Sequence, residues 1–233
     1  MDAKVFNNIL QGSADCLSCA IRSSVLFAGL NAQECDAIAK PIGDLVMHPA
    51  EVLYHAGAPA QAIYTVRSGL VKLVQYLPDG RQRIVRLLRS ADVTGLEAML
   101  GEPYQHDAVV LQRVELCRIP LDVVRALDER NPAIRKELMA RWQRALTEAD
   151  AWLTQLSTGS ARARMARLLL RLVERGDRCN LFSREDMGAM LGVTTETASR
   201  IIAEFKRAGF ISERGGDDSL NCDVPALRRV AAD

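Results

Sequence analysis

The sequence contains no uninterrupted apolar run of about 18 residues, the length at which a stretch becomes a candidate membrane-spanning helix. Its first residues, MDAKVFNNIL, also lack the basic segment and apolar core of a secretory signal peptide. We therefore expect a cytoplasmic protein with no membrane partner. In that compartment the six cysteines are expected to be reduced thiols or ligands rather than a disulfide framework.

Enzyme motifs are also missing. There is no G-x-S-x-G, P-loop, H-E-x-x-H or dinucleotide-binding fingerprint, and only three histidines are present. These absences predict that the protein is not an enzyme. One alternative of another class stays open: Cys16 and Cys19 form a C-x2-C pair, so a thiol-dependent redox enzyme would use them to turn over a peroxide or a disulfide.

Charge is nearly balanced, with a formal net charge of +1, which argues against a non-specific polyanion binder. Its distribution is uneven. Residues 160–214 carry 11 basic and 7 acidic side chains, a difference of +4, whereas residues 1–130 carry 13 and 15. A modest basic excess near the C-terminus favours a protein that reads DNA sequence with limited help from phosphate contacts.

A helix–turn–helix pattern lies within this basic region. Ser183 is a typical N-cap for a helix over residues 184–191, and Gly192 supplies a left-handed turn residue. Thr194 then caps a second helix over about residues 195–208. The two helices and the tight turn predict a DNA-reading unit, and the plainer alternative is an ordinary amphipathic helical hairpin.

The second helix is predicted to have two different faces. Apolar residues with helical spacing form one of them: Ala198, Ile201, Ile202 and Phe205. The candidate DNA-contacting residues lie mostly on the opposite face and near the N-terminus: Thr195, Glu196, Ser199, Arg200 and Arg207. A carboxylate can accept from cytosine N4 and a guanidinium can bind guanine O6 and N7, so this face has the chemistry of major-groove readout.

The motif T-T-E-T-A-S-R, followed by an apolar helix and A-G-F-I, resembles the winged helix-turn-helix of the CRP/FNR family of bacterial regulators. The E-x-x-S-R form is closer to the FNR-type branch. The resemblance implies that Glu196, Ser199 and Arg200 contact bases in a TTGAT-like half-site of an inverted repeat. It also implies a homodimer bound to double-stranded DNA, and contact with RNA polymerase in members that activate transcription.

Between Ile42 and Pro120 the sequence alternates short apolar runs with Gly, Pro and Asp, which predicts a series of short strands. We expect one hairpin at residues 78–80 (Pro-Asp-Gly), another tight turn at Ser68-Gly69, and a strand over residues 93–98. The stretch A-I-Y-T-V-R-S-G-L-V-K resembles the cyclic-nucleotide-binding-like sensor domain of the same family. The expected fold class is α+β: an N-terminal jelly-roll barrel, a long dimerisation helix and a C-terminal winged helix-turn-helix.

By the same resemblance, the candidate effector-binding residues are Gly95, Glu97 and His106. Cyclic-nucleotide binders of the family present Gly-Glu-Leu and, further on, an Arg-Ser pair for the phosphate. Here the turn reads Gly-Leu-Glu, and the later positions read Gln-His-Asp-Ala, with no arginine and an added acid. A carboxylate beside a cyclic phosphate is repulsive, so cyclic AMP is not the expected effector.

The cysteines leave the signal open. Cys16, Cys19 and Cys117 resemble iron–sulfur ligands of FNR-type oxygen sensors, and Cys117 lies in the Cys-x-Ile-Pro context. The remaining ligand falls by spacing at Val25, which cannot bind iron, and Cys35 is ten residues further on. Three alternatives remain: a thiol switch or variant cluster on these cysteines, haem or a small molecule held with His48, His55 or His106, and cysteines that have only structural roles.

Asn131-Pro132 is a strong start signal for a long helix ending near Thr158. A spaced apolar series on it predicts a coiled-coil seam between two subunits: Leu138, Trp142, Ala145, Ala149, Trp152 and Leu156. Leu146 and Leu153 widen this seam into a broad apolar face that can also cover the barrel. The alternative is a helix packed within a monomer. The expected domains are a lead-in over residues 1–25, the sensor over 26–130, the dimerisation helix over 131–158 and the DNA-binding domain over 159–233.

Two further features belong to the last domain. The helix predicted over residues 161–174, together with the residue that follows it, carries arginines that could meet phosphates: Arg162, Arg164, Arg167, Arg171 and Arg175. Residues 213–224 predict the wing hairpin, whose Gly-Gly-Asp-Asp tip is unusually acidic for a segment that contacts the DNA backbone.

Overall fold

The computed structural model describes residues 10–13, 42–173, 177–213 and 219–233. They form two compact units, one that takes the chain up to Gln75 together with Arg86–Leu146, and one composed of Tyr76–Val85 with Thr147–Asp233. The predictions for Cys16, Cys19, Cys35, Arg175 and the wing tip fall outside the described residues. Within the described residues, no helix combines the length and apolar content needed to cross a membrane.

The larger of the two sheets, most of which belongs to the first unit, is antiparallel and has the order β1-β2-β7-β4-β5, to which β3 adds on β7 and β6 on β4. The strands are β1 (Leu10–Ser13), β2 (Gly43–Met47), β3 (Val52–Tyr54), β4 (Ala62–Tyr76), β5 (Gln82–Leu88), β6 (Val93–Thr94) and β7 (Asp107–Pro120). The predicted strand-rich region is confirmed, and so is the hairpin at residues 78–80, where the Gly80 amide bonds to the Leu77 carbonyl.

The expected turn at Ser68-Gly69 is wrong, because β4 runs unbroken through it. Gly69 instead lies among register shifts between β4 and β7. A Cβ at this position would lie 2.1 Å from the Arg113 carbonyl oxygen, and φ is +82°. Glycine is therefore required here for a close approach of two strands at an irregularity rather than for a chain reversal.

The strand predicted over residues 93–98 is also wrong beyond Thr94. Gly95 adopts φ 78° and starts a 3₁₀ helix over Leu96–Leu100, which Gly101 ends at φ 76°. A left-handed glycine at each end limits the 3₁₀ helix to five residues. Glu97 consequently lies on a 3₁₀ helix rather than on a strand.

Helices α1 (Leu121–Arg130) and α2 (Pro132–Leu156) follow β7, which confirms the predicted start at Asn131-Pro132. The Asn131 side chain accepts from the Ala133 amide at 3.0 Å and so caps the first turn of α2. The core of the first unit joins strand, 3₁₀ and helix residues: Ile42, Ile63, Val93, Leu96, Ala98, Ile119, Val123, Val124, Leu127, Ile134 and Leu138.

The second unit continues with α3 (Ala161–Leu172), β8 (Arg178–Asn180), α4 (Arg184–Leu191), α5 (Thr195–Arg207), β9 (Ile211–Glu213), β10 (Ser219–Cys222) and α6 (Val224–Ala231). The three strands form a small antiparallel sheet in the order β8-β10-β9. Its core uses the apolar face of α3, where Met165, Leu168 and Leu169 are fully buried.

Candidate nucleic-acid interface

The turn between α4 and α5 has the geometry that its sequence predicts. Ser183 accepts from the Asp186 amide, Gly192 ends α4 at φ 66°, and Thr194 accepts from the Thr197 amide at 3.2 Å. Each cap satisfies a backbone group that has no partner inside its own helix. The start of α5 is therefore fixed by local hydrogen bonds.

Gly188 is a residue whose importance the sequence reasoning missed. A Cβ on it would lie 2.8 Å from the Val193 carbonyl oxygen, which belongs to the turn. The Gly188 carbonyl also accepts from the Val193 amide at 3.1 Å. Glycine in the middle of so short a helix costs stability, which signals that a close backbone approach is needed there.

The outward face of α5 carries the predicted DNA-contacting residues. Thr195, Glu196, Ser199, Arg200 and Arg207 are all exposed. Among the residues that the structure describes, no hydrogen bond or ion pair engages the side chains of Glu196, Ser199 and Arg200. Arg207 differs, since its Nε bends back to the Ala203 carbonyl at 3.4 Å. A carboxylate, a hydroxyl and a guanidinium are thus available to an external partner.

The inward face of α5 is as sequence spacing predicts. Ala198, Ile201, Ile202 and Phe205 are buried, and Phe205 is fully enclosed. The Arg162 guanidinium lies 5.7 Å from the centre of the Phe205 ring and donates to Glu204 at 2.7 Å. These contacts attach α5 to α3, so the outward face is presented by a packed helix.

The arginines of α3 have a different role from the predicted phosphate contacts. Arg164 donates to the Leu191 carbonyl at the end of α4, and Arg167 donates to the carbonyls of Thr158 (2.8 Å) and Ala231 (2.8 Å). Arg171 pairs with Glu148 and lies over the Trp152 ring. Together with Arg162, these side chains tie α3 to its neighbours inside the second unit. The carbonyls at a helix C-terminus attract cations, which favours the contacts of Arg164 and Arg167.

The wing is present as β9 and β10, paired in antiparallel register from Ile211↔Cys222 to Glu213↔Leu220. Lys206 at the end of α5 forms an ion pair with Glu213. This pair lowers the pKa of the Glu213 carboxyl, mainly through the hydrogen bond from Lys206. The acidic tip, residues 215–218, lies outside the described residues.

Helix α2 exposes an apolar stripe that includes Trp142, Leu146 and Leu153 of the predicted apolar face and adds Met139. Leu138, Trp152 and Leu156 are buried within the protein, so their place in an intersubunit seam was wrong. The exposed apolar side chains are Met139 (66%), Trp142 (41%), Leu146 (56%) and Leu153 (64%). Their spacings of three, four and seven residues place them on one face of the helix. We call these four residues the α2 stripe.

In the first unit, Gly95 and Glu97 occupy defined positions beside an aromatic cluster. A Cβ on Gly95 would lie 2.9 Å from the Ala62 carbonyl oxygen, and the Glu97 carboxylate accepts from the Gln105 amide at 3.2 Å. Tyr54 stacks on Tyr104 with ring centres 3.9 Å apart. Burial raises the pKa of both phenols, so the two hydroxyls stay protonated.

His106 is half-buried, and burial is the main cause that lowers its pKa. The nearby Arg86 guanidinium, on β5, lowers this pKa further, whereas Glu97 raises it. Sequence inspection found no arginine near the candidate phosphate position, because Arg86 lies on another strand. Arg86 and Glu97 thus both lie within electrostatic range of His106, so a positive charge is present near the candidate effector residues.

The remaining predicted sensor residues are scattered. Cys117 is half-buried on β7, and its thiol lies 3.9 Å from an Asp44 oxygen that also accepts from Arg67 at 2.8 Å. His48 and His55 are exposed. Within the described part of the chain, no three His, Cys, Asp or Glu side chains form a group that could hold a metal ion.

Comparison with known domain families gives two matches. Residues 45–131 match the cyclic nucleotide-binding domain, and residues 163–230 match the Crp-like helix-turn-helix domain. The first covers most of the sheet unit with α1, and the second runs from α3 to α6.

Relatives match nearly the full length. An anaerobic regulatory protein from Pasteurella multocida is 27% identical, over 97% of this chain and 87% of its own. The transcriptional activator protein anr from Pseudomonas aeruginosa is 28% identical, over 87% and 86%. Among solved structures, a CRP-family transcriptional regulator from Thermus thermophilus matches with a TM-score of 0.71 and 25% identity, over 81% of this chain and 96% of that one. FixK2 from Bradyrhizobium japonicum shares the fold, with a TM-score of 0.73, 23% identity and coverage of 82% and 98%.

Proposed function

The chain belongs to the CRP/FNR family of transcription regulators, and from that premise we propose that two copies of it read an inverted-repeat DNA site with α5. The observation that carries the proposal is the outward face of α5, where Glu196, Ser199 and Arg200 are exposed. All three lie in the first two turns of α5, the end that a recognition helix inserts into the major groove. The chromosome is the partner, so we place the protein in the cytoplasm.

The roles of the three side chains follow from their chemistry. Arg200 supplies two parallel donors for guanine O6 and N7, and Glu196 accepts from cytosine N4. The Ser199 hydroxyl can donate a hydrogen bond to a base or accept one from it, so it does not by itself select a particular base. Thr195 and Arg207, at the two ends of α5, are placed to contact the flanking backbone. A TTGAT-like half-site is the first sequence to test.

Arg200→Ala tests base reading. We expect it to weaken binding to an inverted TTGAT-like repeat by about 1–3 kcal/mol per half-site, and to relax the preference at one base position. Arg228→Ala is the matched control, because it removes the same charge from an exposed position on α6. Titrating both variants by fluorescence anisotropy at fixed salt, on specific and random duplexes, separates base contacts from charge. Equal affinity of Arg200→Ala and wild type would remove Arg200 from base reading.

We propose that the α2 stripe joins the two subunits. Helix α2 is about 37 Å long at 1.5 Å per residue, long enough to carry a dimer seam. Its four exposed apolar side chains would be covered by the same face of a second copy, as in a two-stranded coiled coil. A two-fold pair also presents two copies of α5 to half-sites about 34 Å apart.

Leu146→Asp tests the dimer. A charge in the middle of the α2 stripe should shift the protein from dimer to monomer in sedimentation experiments, and DNA affinity should fall with it. Arg144→Ala, on the opposite face of α2, is the control and should stay dimeric. A Leu146→Asp protein that sediments with wild type at micromolar concentration would contradict an interface on this stripe.

For the signal, we propose a redox or oxygen input through Cys16, Cys19 and Cys117. Support comes from the resemblance of these cysteines to FNR-type ligands and from relatives that are named anaerobic regulators. A [4Fe–4S] cluster takes four protein ligands, and of the three candidate sensor cysteines the described residues include one, Cys117, beside the Asp44 carboxylate. They supply no complete donor set for a cluster, so no step of the mechanism is assigned to one. Replacing Cys16 and Cys19 together by Ser should abolish any difference in DNA affinity between air-exposed and anaerobic protein, with the fold intact.

A second input is favoured by the group of Arg86, Glu97 and His106. A cation and a carboxylate within electrostatic range of a half-buried imidazole suit a small organic effector with an anionic group. The visible spectrum of protein purified without air distinguishes the inputs. A broad band that bleaches in oxygen indicates a cluster, and a Soret band indicates haem. A colourless protein whose response needs Arg86 but not Cys16 would support the organic effector over the thiol input.

A further inference from the structure

Two cysteines in the second unit lie together inside the wing sheet. Cys179 is on β8 and Cys222 is on β10, adjacent strands of the sheet. Their sulfurs are 2.8 Å apart, within hydrogen-bonding distance, and both side chains are buried on the same face of the sheet. Neither belongs to the outward face of α5 or to the candidate sensor cysteines.

The strand register explains the proximity. Cys179 pairs with Leu220, and the Cys222 amide donates to the Asp177 carbonyl at 2.8 Å, so the two cysteines are diagonal neighbours. A diagonal pair spans about 7–8 Å between Cα atoms in a regular sheet, slightly beyond the usual disulfide range. Here the side chains converge, since the sulfur separation is only about 0.8 Å longer than a disulfide bond of about 2.05 Å. Closing this gap needs a rotation of both side chains together with a small shift of the edge strand β8.

The chemistry of the pair favours reaction. The pKa of the Cys222 thiol is lowered, because a hydrogen bond from Cys179 stabilises its thiolate. Burial and the charge of Asp177 act in the opposite direction but are smaller causes. A thiolate is the reactive form of cysteine, and a neighbouring thiol is the partner that resolves its oxidation.

Access comes from the position of β8. It is a three-residue edge strand next to residue 177, which adopts a positive φ of 59°. Short edge strands open locally at low cost, so a small uncharged oxidant can reach the sulfurs without global unfolding.

We propose that Cys179 and Cys222 are a reversible dithiol–disulfide pair that peroxide oxidises, fastening together the two ends of the DNA-reading segment. The Cys222 thiolate attacks a peroxide oxygen, the O–O bond breaks, and water leaves after taking up a proton. The resulting sulfenic acid is attacked by the Cys179 sulfur, which forms the S–S bond and releases a second water. In sum, two thiols lose two electrons and two protons, and one peroxide becomes two waters. This site goes beyond the proposed DNA reading and does not depend on it.

The disulfide would enclose α4, α5 and β9 in one covalent loop, since the cysteines are 43 positions apart. Closing a loop of this size removes conformational freedom mainly from the unfolded chain. We expect the melting temperature of the second unit to rise by roughly 10 °C on oxidation, and to return when a thiol reductant is added.

Peptide mapping of the full-length protein tests the bond directly. After hydrogen peroxide treatment and alkylation of remaining thiols, trypsin releases Cys179 in the peptide of residues 179–184 and Cys222 in that of residues 215–228. We expect a linked species of these two peptides, lighter by two hydrogens than their sum, which separates on reduction. Cys117 in the first unit should not appear in that species.

Cys179→Ala and Cys222→Ala are the matched variants. Each should lose both the linked peptide and the oxidation-dependent rise in melting temperature while keeping the reduced protein folded. Two results would overturn the proposal: both cysteines alkylated as free thiols or found as sulfinic acids after peroxide, or a rise in melting temperature that persists in the variants. Both readouts are independent of DNA, so failure here leaves the proposed function untouched.

Discussion

The DNA-reading face and the candidate sensor group are assembled in different ways. Glu196, Ser199 and Arg200 lie within five consecutive residues of one helix, and none of them is bound to another described side chain. Arg86, Glu97 and His106 come from a strand, a 3₁₀ helix and the residue just before another strand, and the charges of Arg86 and Glu97 act on the pKa of His106 in opposite directions. A face made from one helix can be read from sequence spacing, whereas a group made from three elements cannot. The side chains of the DNA-reading face are available to an external partner, whereas Glu97 of the sensor group already accepts a hydrogen bond from Gln105.

The largest expected effect concerns the buried side of the same helix that reads DNA. Phe205→Ala should destabilise the second unit by about 3–5 kcal/mol, because it empties a fully enclosed aromatic site at the centre of that unit. Hydrogen exchange of peptides from α3 to α5 should rise, while peptides from the sheet of the first unit stay protected. Ser199→Ala, on the exposed face, should leave exchange unchanged. If Phe205→Ala exchanged like wild type, the division of α5 into a packing face and a reading face would be wrong.

The second prediction concerns glycine in the first unit. Gly69→Ala and Gly57→Ala share a positive φ, of 82° and 78°, so both pay a similar conformational cost of about 1 kcal/mol. Only at Gly69 does a Cβ meet backbone, 2.1 Å from the Arg113 oxygen. Gly69→Ala should therefore lose about 1–3 kcal/mol more than Gly57→Ala in thermal or urea unfolding. Equal losses would show that the irregularity between β4 and β7 relaxes freely.

A smaller effect is expected at the start of α5. Thr194→Ala removes the oxygen that accepts from the Thr197 amide and should cost about 0.5–2 kcal/mol of stability. Thr195→Ala, at the next position but without a capping bond, should change stability by no more than about 0.5 kcal/mol. Thermal unfolding of the two variants measures how much the capping hydrogen bond at Thr194 stabilises the start of α5. If Thr195→Ala lost more stability than Thr194→Ala, Thr194 would not be the residue that caps α5.

The smallest effect is a pH dependence in the sensor group. The folded-state pKa of His106 lies below its ordinary value of 6.5, so the unfolded chain binds more protons as the pH falls through that value. The contribution of His106 is fully favourable above about pH 6.5 and is progressively lost between 6.5 and the lower folded pKa. His106→Gln should flatten this part of the stability profile of the first unit. If the slope of stability against pH were the same in His106→Gln and wild type, the His106 side chain would be exposed to solvent rather than half-buried.

Structural interpretation of sequence succeeded where the signal was local. The caps Ser183 and Thr194, the turn glycine Gly192 and the buried stripe of α5 all lie where spacing predicts. The predictions were wrong at Gly69 and at residues 95–98. A glycine can form a turn, permit a close approach of two strands or start a helix, and only the neighbouring strands determine which of these occurs. The predicted seam on α2 was wrong at Leu138, Trp152 and Leu156, which are buried within the protein, and it omitted Met139, which is exposed.

The sequence by itself determined the order of elements, the two faces of α5 and the family, because these depend on contacts between residues close in the chain and on motifs of fixed spacing. Tertiary structure decided which arginines are structural, that Arg86 lies within electrostatic range of His106, and that Cys179 lies against Cys222. Each of these depends on strand register or on helix packing between distant parts of the chain. Such contacts arise from the burial of apolar surface across the whole unit, and a local pattern does not encode them.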